Sequence, residues 1–427
     1  MESEQPLGAG GRIARKFRLA NGLGILLLRD PSAPLIAYQT WFGVGSRHER
    51  EGKTGIAHLF EHLMFNQTEQ LAPGEFDRRL EAVGAETNAA TWVDWTFYRN
   101  SLPREQLALV AELEADRMAH LVVHDPQVTS EREVVANERR FRVEDDVDGF
   151  LSEQLYRLAY TVHPYRWPTI GWMADIEGIT TEDARAFYHT YYAPNNATLV
   201  LVGDFEERAA LDLIERHYGT LPSSNLPAEE RIVEPPQTAE RRELFIKPVA
   251  TERLLWGWRG PGLAEEDHPA VEIAVEILAS GQSSRLVRRL VIETEIASSL
   301  HMSVPEFRDP GLVELRVILQ RGHSAVAAKA LLDEEIDRLA ATAPDEEELE
   351  KAKCRIEARF WHSLRPHDGK AEALGHYQTT TGDYRRLFRA AERVRAVAPA
   401  EVQRVVAHYL DARRRTIVTA AAPRRKS

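Results

Sequence analysis

Three side chains in the stretch GIAHLFEHLMF (residues 55–65) combine types and spacing that could hold a metal ion: His58, Glu61 and His62. On an α-helix, His58 and His62 fall one turn apart on one face. Glu61 lies about 60° round from His58, so all three fit within an arc of roughly 100°. Two imidazoles at i and i+4 can ligate one cation while the carboxylate stands beside it, and the order H-x-x-E-H is a recognised zinc pattern. The rest of the stretch is apolar: Ile56, Leu59, Phe60, Leu63, Met64 and Phe65. Ionisable groups on such a helix are costly to bury without partners. The competing reading is a pair of core histidines satisfied by hydrogen bonds.

A catalytic zinc site needs a third protein ligand and leaves its fourth position to water. The segment SEREVVANERR (residues 130–140) offers one. Ser130 and Glu133 are expected to form a capping box that starts a helix. Counting from Glu131 at i, i+3, i+4 and i+7 gives Val134, Val135 and Glu138, so both glutamates are expected on an inward stripe. A bare carboxylate there would be destabilising or would protonate. A divalent cation shared with His58 and His62 answers both anomalies.

These residues need a scaffold. RKFRLANGLGILLLRDP and LIAYQTWFGVGSRHE read as strands joined by a turn near Pro31 to Pro34. AETNAATWVDWTFYRNSLP reads as strand and hairpin, and helices are expected over GEFDRRLEAVG, REQLALVAELEADRMAHLV and from SEREVVANERRFRV on towards FLSEQLYRLAY. Residues 221–243, with Pro222, Pro227, Pro235 and Pro236, have linker chemistry. The flanking halves end alike, as helix then strand: at an offset of 218 positions Tyr191 falls on Tyr409 and Thr198 on Thr416. A duplicated domain follows. The expected fold class is α+β, with two homologous αβ-sandwich domains, each a mostly antiparallel sheet with helices packed on one face. The expected boundaries are 1–222, a linker over 223–242, and 243–427.

With those motifs in place, the sequence resembles the pitrilysin/insulinase-type zinc metallopeptidases, in particular the half-length, two-domain type that includes the mitochondrial processing peptidase β-subunit. The family carries H-x-x-E-H and a glutamate ligand about 76 residues beyond the second histidine, which lands on Glu138; a further family glutamate lands on Glu131. GAETNAATWVDWTFY resembles the family's active-site edge strand, and HPYRWPTIGW (163–172) another family block. The resemblance implies one zinc ion held by His58, His62 and Glu138. It implies Glu61 as general base in peptide hydrolysis and Glu131 in support. It puts Asn88 and Ala89 at substrate-contacting positions. In the family an Arg and a Tyr from the second half help to fix the substrate carbonyl. Here the matching positions in LVIETEIASSL are Val291 and Ser298, and neither can do that work. GQSSRLVRRLV, the expected counterpart of the histidine helix, carries no ligand set. The resemblance therefore implies a heterodimer in which a homologous partner supplies the Arg–Tyr pair, with a homodimer as runner-up. A structural subunit or a peptide-binding module of the same fold is the alternative function.

Composition bounds the rest. The 427 residues are 43% hydrophobic and 28% charged, as expected of a globular protein of two or three domains. A net charge of -12 argues against general nucleic-acid binding. Cys354 is the single cysteine, so no internal disulfide can form, and a reducing compartment, the cytoplasm, is expected. The first residues, MESEQPLGAGG, lack the apolar segment of a signal peptide, and no run of about 18 apolar residues predicts a membrane span.

Overall fold

The computed structural model describes residues 2–7 and 12–423 and divides them into two compact units. The first holds the residues up to Glu138, Pro168–Arg231 and Trp361–Arg389; the second holds Arg139–Trp167, Ile232–Phe360 and the residues from Ala390. The fold is α+β, built from two mostly antiparallel sheets with helices.

The first unit's strands are β1 (Glu2–Leu7), β2 (Arg12–Arg18), β3 (Gly24–Arg29), β4 (Leu35–Phe42), β5 (Glu86–Thr91), β6 (Thr96–Pro103) and β7 (Ala197–Gly203). They lie in the order β1-β2-β3-β7-β4-β6-β5, antiparallel except for the β3–β7 pair. Pro31 to Pro34 join β3 to β4, but β7 lies between them, so the stretch is not a hairpin turn. The hairpin is β2–β3, and it turns through Gly22 at φ +92°. The second unit's strands are β8 (Arg241–Ile246), β9 (Arg253–Arg259), β10 (Ala297–Ser303), β11 (Leu312–Leu319) and β12 (Arg415–Ala421). Their order is β10-β11-β9-β12-β8, and only β8–β12 is parallel. That order repeats β5-β6-β4-β7-β3 strand for strand, down to the place of the parallel pair. The helices Thr181–Tyr191 and Pro399–Tyr409, with the strands after them, sit at the offset of 218 seen in the sequence.

Side-chain alternation along β4 shows how the first unit is layered. Ile36, Tyr38 and Phe42 enter a core shared with the main helices. Gln39 and Trp41 face the other way and meet the helix His367–Thr381, which comes from the second half of the sequence. Gln39 Nε2 donates to the Asp368 backbone and side-chain oxygens at 3.2 Å. A Cβ on Gly375 would lie 2.2 Å from the Trp41 ring, so only glycine lets the helix this close. The second unit repeats the device: Val147–Ala159, from the first half of the sequence, lies on β9 and β12.

The compact units therefore differ from the boundaries expected from sequence. Their middle crossing, between Arg231 and Ile232, falls inside the expected linker, but each sequence half gives one segment to the other unit. The reason is that each sheet has a second apolar face, and its cover is a helix distant in sequence. For the same reason the helix expected to run from SEREVVANERRFRV into FLSEQLYRLAY is broken. It stops near Asp145, and a new helix begins at Val147 with Asp146 as its cap.

Candidate metal centre

The histidine helix spans Ile56–Leu63, two turns. Ile56, Ala57, Leu59, Phe60 and Leu63 are buried, and Phe60 packs among Phe187, Tyr188 and Tyr192. His58, Glu61 and His62 are left on a half-buried face. The helix enters through Gly55 at φ +89°, where a Cβ would sit 2.5 Å from the Ile170 carbonyl oxygen. Gly171, at φ +86°, lies against Gly55 from the other side. Two glycines back to back fix where the helix starts, which gives the TIGW end of the 163–172 block a physical role.

The glutamate helix spans Asp125–Arg139. It begins five residues before the expected capping box, with Pro126 in its first turn, where proline's missing N–H costs nothing. Ser130 and Glu133 therefore lie inside the helix. Its inward stripe is also shifted: Val128 and Val135 are buried, whereas Val134 is exposed. Glu131 and Glu138 still share a half-buried face, two turns apart.

The two helices bring three potential ligands together. Oε2 of Glu138 lies 3.6 Å from Nε2 of His58 and 3.5 Å from Nε2 of His62. One ligand atom from each of the three lies within 4.8 Å of the others. Atoms tetrahedrally placed around zinc at ordinary bond lengths are about 3.3 Å apart. Two neutral imidazoles and a carboxylate also match the donor chemistry of a catalytic zinc site. The residues present fit the ion.

Behind this group, Oε2 of Glu131 lies 3.5 Å from Nδ1 of His62, and its Oε1 accepts from Nδ2 of Asn66 at 3.0 Å. The His62 bond and Asn66 hold the Glu131 carboxyl below its ordinary value, against the opposing effect of burial. Burial acts to lower the His62 pKa, but the Glu131 and Glu138 carboxylates outweigh it and raise the metal-free imidazole to about 9. Glu61 turns towards β5. Burial raises its carboxyl above the ordinary range, opposed by bonds from the hydroxyl and N–H of Thr91 and by the charge of His62. A general base is served by such a shift towards neutrality.

β5 is an edge strand, paired on one side with β6. Asn88 is exposed and Ala89 half-buried, and the Asn88 side-chain oxygen accepts the Ala89 N–H at 2.9 Å. Sequence reasoning missed Asn66 and Thr91. Thr91 stood in the quoted ETNAATW stretch, but nothing local marks which of its threonines meets Glu61.

In the second unit, the helix in the place of the histidine helix is His268–Ala279, not GQSSRLVRRLV. It carries Glu276, which Arg355 and Arg359 both bond, an ion-paired cluster where the first half gathers imidazoles. Val291 is half-buried in a helical turn, and Ser298 stands on edge strand β10 with its hydroxyl donated to the Ile318 carbonyl at 3.1 Å.

Two α+β units share one strand order, and the first carries an H-x-x-E-H helix with a glutamate as candidate third ligand; the comparisons place this arrangement in a metallopeptidase family. Residues 25–171 match Insulinase (Peptidase family M16) and residues 178–356 match Peptidase M16 inactive domain. The zinc protease PqqE of Helicobacter pylori is 31% identical over 382 residues, covering 87% of this chain and 85% of that protein. The mitochondrial-processing peptidase subunit beta of Lentinula edodes is 24% identical, over 92% of this chain and 86% of its own. A crystal structure of a protease from Helicobacter pylori superposes with a TM-score of 0.92 at 28% identity, covering 96% of this chain and 99% of that one. The chain belongs to peptidase family M16, in its half-length form.

Proposed function

We propose that the protein is a zinc-dependent endopeptidase that hydrolyses extended or unfolded peptides. The observation that carries this reading is the convergence of His58, His62 and Glu138 at near-tetrahedral spacing beside a Glu61 carboxyl shifted towards neutrality. The two Nε2 atoms and the Glu138 carboxylate would hold one zinc per chain. When bound, zinc supplies Lewis acidity, lowering the pKa of a water molecule and polarising a carbonyl. Glu61 accepts a proton from the attacking water and passes it to the amine as the C–N bond breaks. Glu131 orients His62 through Nδ1. A peptide adds to the open edge of β5 as a further strand. Backbone bonds there are indifferent to sequence, and Asn88 and Ala89 lie at the contact.

The same reading makes the chain the metal-bearing subunit of a two-subunit enzyme. Val291 and Ser298 stand where an Arg–Tyr pair is needed, so a homologous partner supplies that pair; a homodimer is the second possibility. The lone Cys354 supports a reducing compartment such as the cytoplasm. Among the described residues no helix is long and apolar enough to cross a membrane.

The test measures zinc content and cleavage of a quenched fluorescent peptide, with and without chelator. Glu61→Gln should keep zinc and lose about 10²- to 10⁴-fold in turnover. His58→Ala should lose both. A fully active Glu61→Gln enzyme overturns the base assignment, and full activity of the purified lone chain overturns the partner requirement.

A further inference from the structure

The histidine helix is short, and its cap residue, Gly55, has no side chain to satisfy the free N–H groups of the first turn. Glu49 takes that role from outside the helix. Its Oε2 accepts from the Gly55 N–H at 2.9 Å and its Oε1 from the Ala57 N–H at 2.8 Å. Its side chain is buried, with the residue only 9% exposed. Among the described residues no Lys, Arg or His forms an ion pair with Glu49, so backbone amides are what it holds. The segment it grips is pinned from the other side too. Asp175 Oδ2 accepts from the Thr54 N–H at 3.1 Å and its hydroxyl at 2.7 Å, and the Thr54 hydroxyl accepts from the Trp172 N–H at 3.0 Å.

We infer that Glu49 is a positioning residue of the metal centre, and that its bidentate grip on Gly55 and Ala57 sets the height and rotation at which the histidine helix faces Glu138. The inference rests on the metal-site reading above. The grip ends one residue before His58. His58, Glu61 and His62 ride on one rigid two-turn helix, whereas Glu138 belongs to another. Any slide or twist of the histidine helix therefore changes both histidine–Glu138 separations at once and re-aims Glu61. Burial pushes the Glu49 carboxyl well above its ordinary value, opposed by the Ala57 and Gly55 N–H bonds, so the grip rests on those two bonds and not on its charge. Glu49 acts as a fixed stop, which a solvent-exposed cap would not be.

Glu49→Gln keeps shape and one acceptor oxygen, but turns an amide N–H₂ towards one of the two donors. Circular dichroism and a melting curve establish that the variant is folded, and assays run well below its melting point. The expected result is a zinc Kd raised by about tenfold or more. At saturating zinc, kcat should fall by about tenfold while KM stays within about twofold, because the chemistry rather than peptide binding is misaligned. The visible absorption of the cobalt-substituted protein should change in position or intensity. Glu49→Ala should exaggerate each effect. A folded Glu49→Gln protein with unchanged zinc Kd, cobalt spectrum and kcat overturns the inference and leaves the metal-site reading standing. A wild-type chain that binds neither zinc nor cobalt overturns both.

Discussion

Replacing Glu131 by Gln tests the supporting shell of the site, because it removes one charge 3.5 Å from His62 Nδ1 at almost no change in volume. Two effects oppose each other. Gln keeps one acceptor oxygen but must turn its N–H₂ towards either His62 or Asn66, and weakening the bond that orients the ring should cost about 10- to 100-fold in metal affinity, roughly 1.4–2.7 kcal/mol. Yet the same carboxylate helps to hold His62 at about 9 in the metal-free protein, and a protonated ring cannot ligate. At pH 7 that proton works against binding by two pK units, roughly 2.7 kcal/mol, and Glu131→Gln relieves part of it. The sign follows from the raised pKa. Below about 9, wild-type affinity weakens as pH falls, and the variant, with a lower His62 pKa, weakens less. The affinity gap between the two should therefore be widest near pH 9 and narrow towards pH 6. Competition against a chromophoric zinc chelator across that range measures it. Equal affinities throughout, or a gap that widens on acidification, would refute the role given to Glu131.

Two further predictions concern the scaffold. Gly55→Ala forces a Cβ at φ +89° to within 2.5 Å of a carbonyl oxygen, so the helix entry must shift, and zinc binding should weaken together with a stability loss of at least about 1–2 kcal/mol by urea titration. Lys370→Met strips the cation 2.9 Å from Asp30, a carboxylate 1% exposed, and should cost about 3–5 kcal/mol at pH 7. Burial acts to raise the Asp30 pKa, but Lys370 and Ser32 outweigh it and hold the group at about 2. The wild-type contribution is thus complete above about pH 4 and lost as pH falls through 2. The variant keeps the Ser32 bond and His367 at 3.7 Å from Asp30 but loses the ammonium, so its Asp30 pKa should rise and its deficit should shrink between pH 7 and pH 4, which urea midpoints at the two values would show.

The grouping of His58, His62 and Glu138 was legible in sequence where it depends on local geometry. The i, i+4 pair of histidines shares a face on any helix, and Glu131 and Glu138, seven apart, share one on any other. What failed was burial: Val134 sits on the same helix as Glu138 but points to solvent, because the neighbour that decides the buried stripe is distant in sequence. The capping box at Ser130 and Glu133 matched a pattern that also occurs inside helices. Glu49 and Thr91 could not be found, since each acts on a helix that meets it only after folding. The duplicated strand order could be inferred from the matching ends of the halves, but not the exchange of covering helices. That exchange depends on which apolar face each helix finds, and amphipathicity does not name the partner.

The exchange carries a consequence for biosynthesis. Gln39 waits for Asp368, 329 positions further along, before the rear of its sheet is dry. On the ribosome, the first unit's sheet stands with Trp41 uncovered until the helix His367–Thr381 has emerged. Over that interval the rear of the sheet is an apolar surface that chaperones can bind. A gene truncated at the proline-rich seam would encode a histidine-bearing fragment that never acquires its final helix.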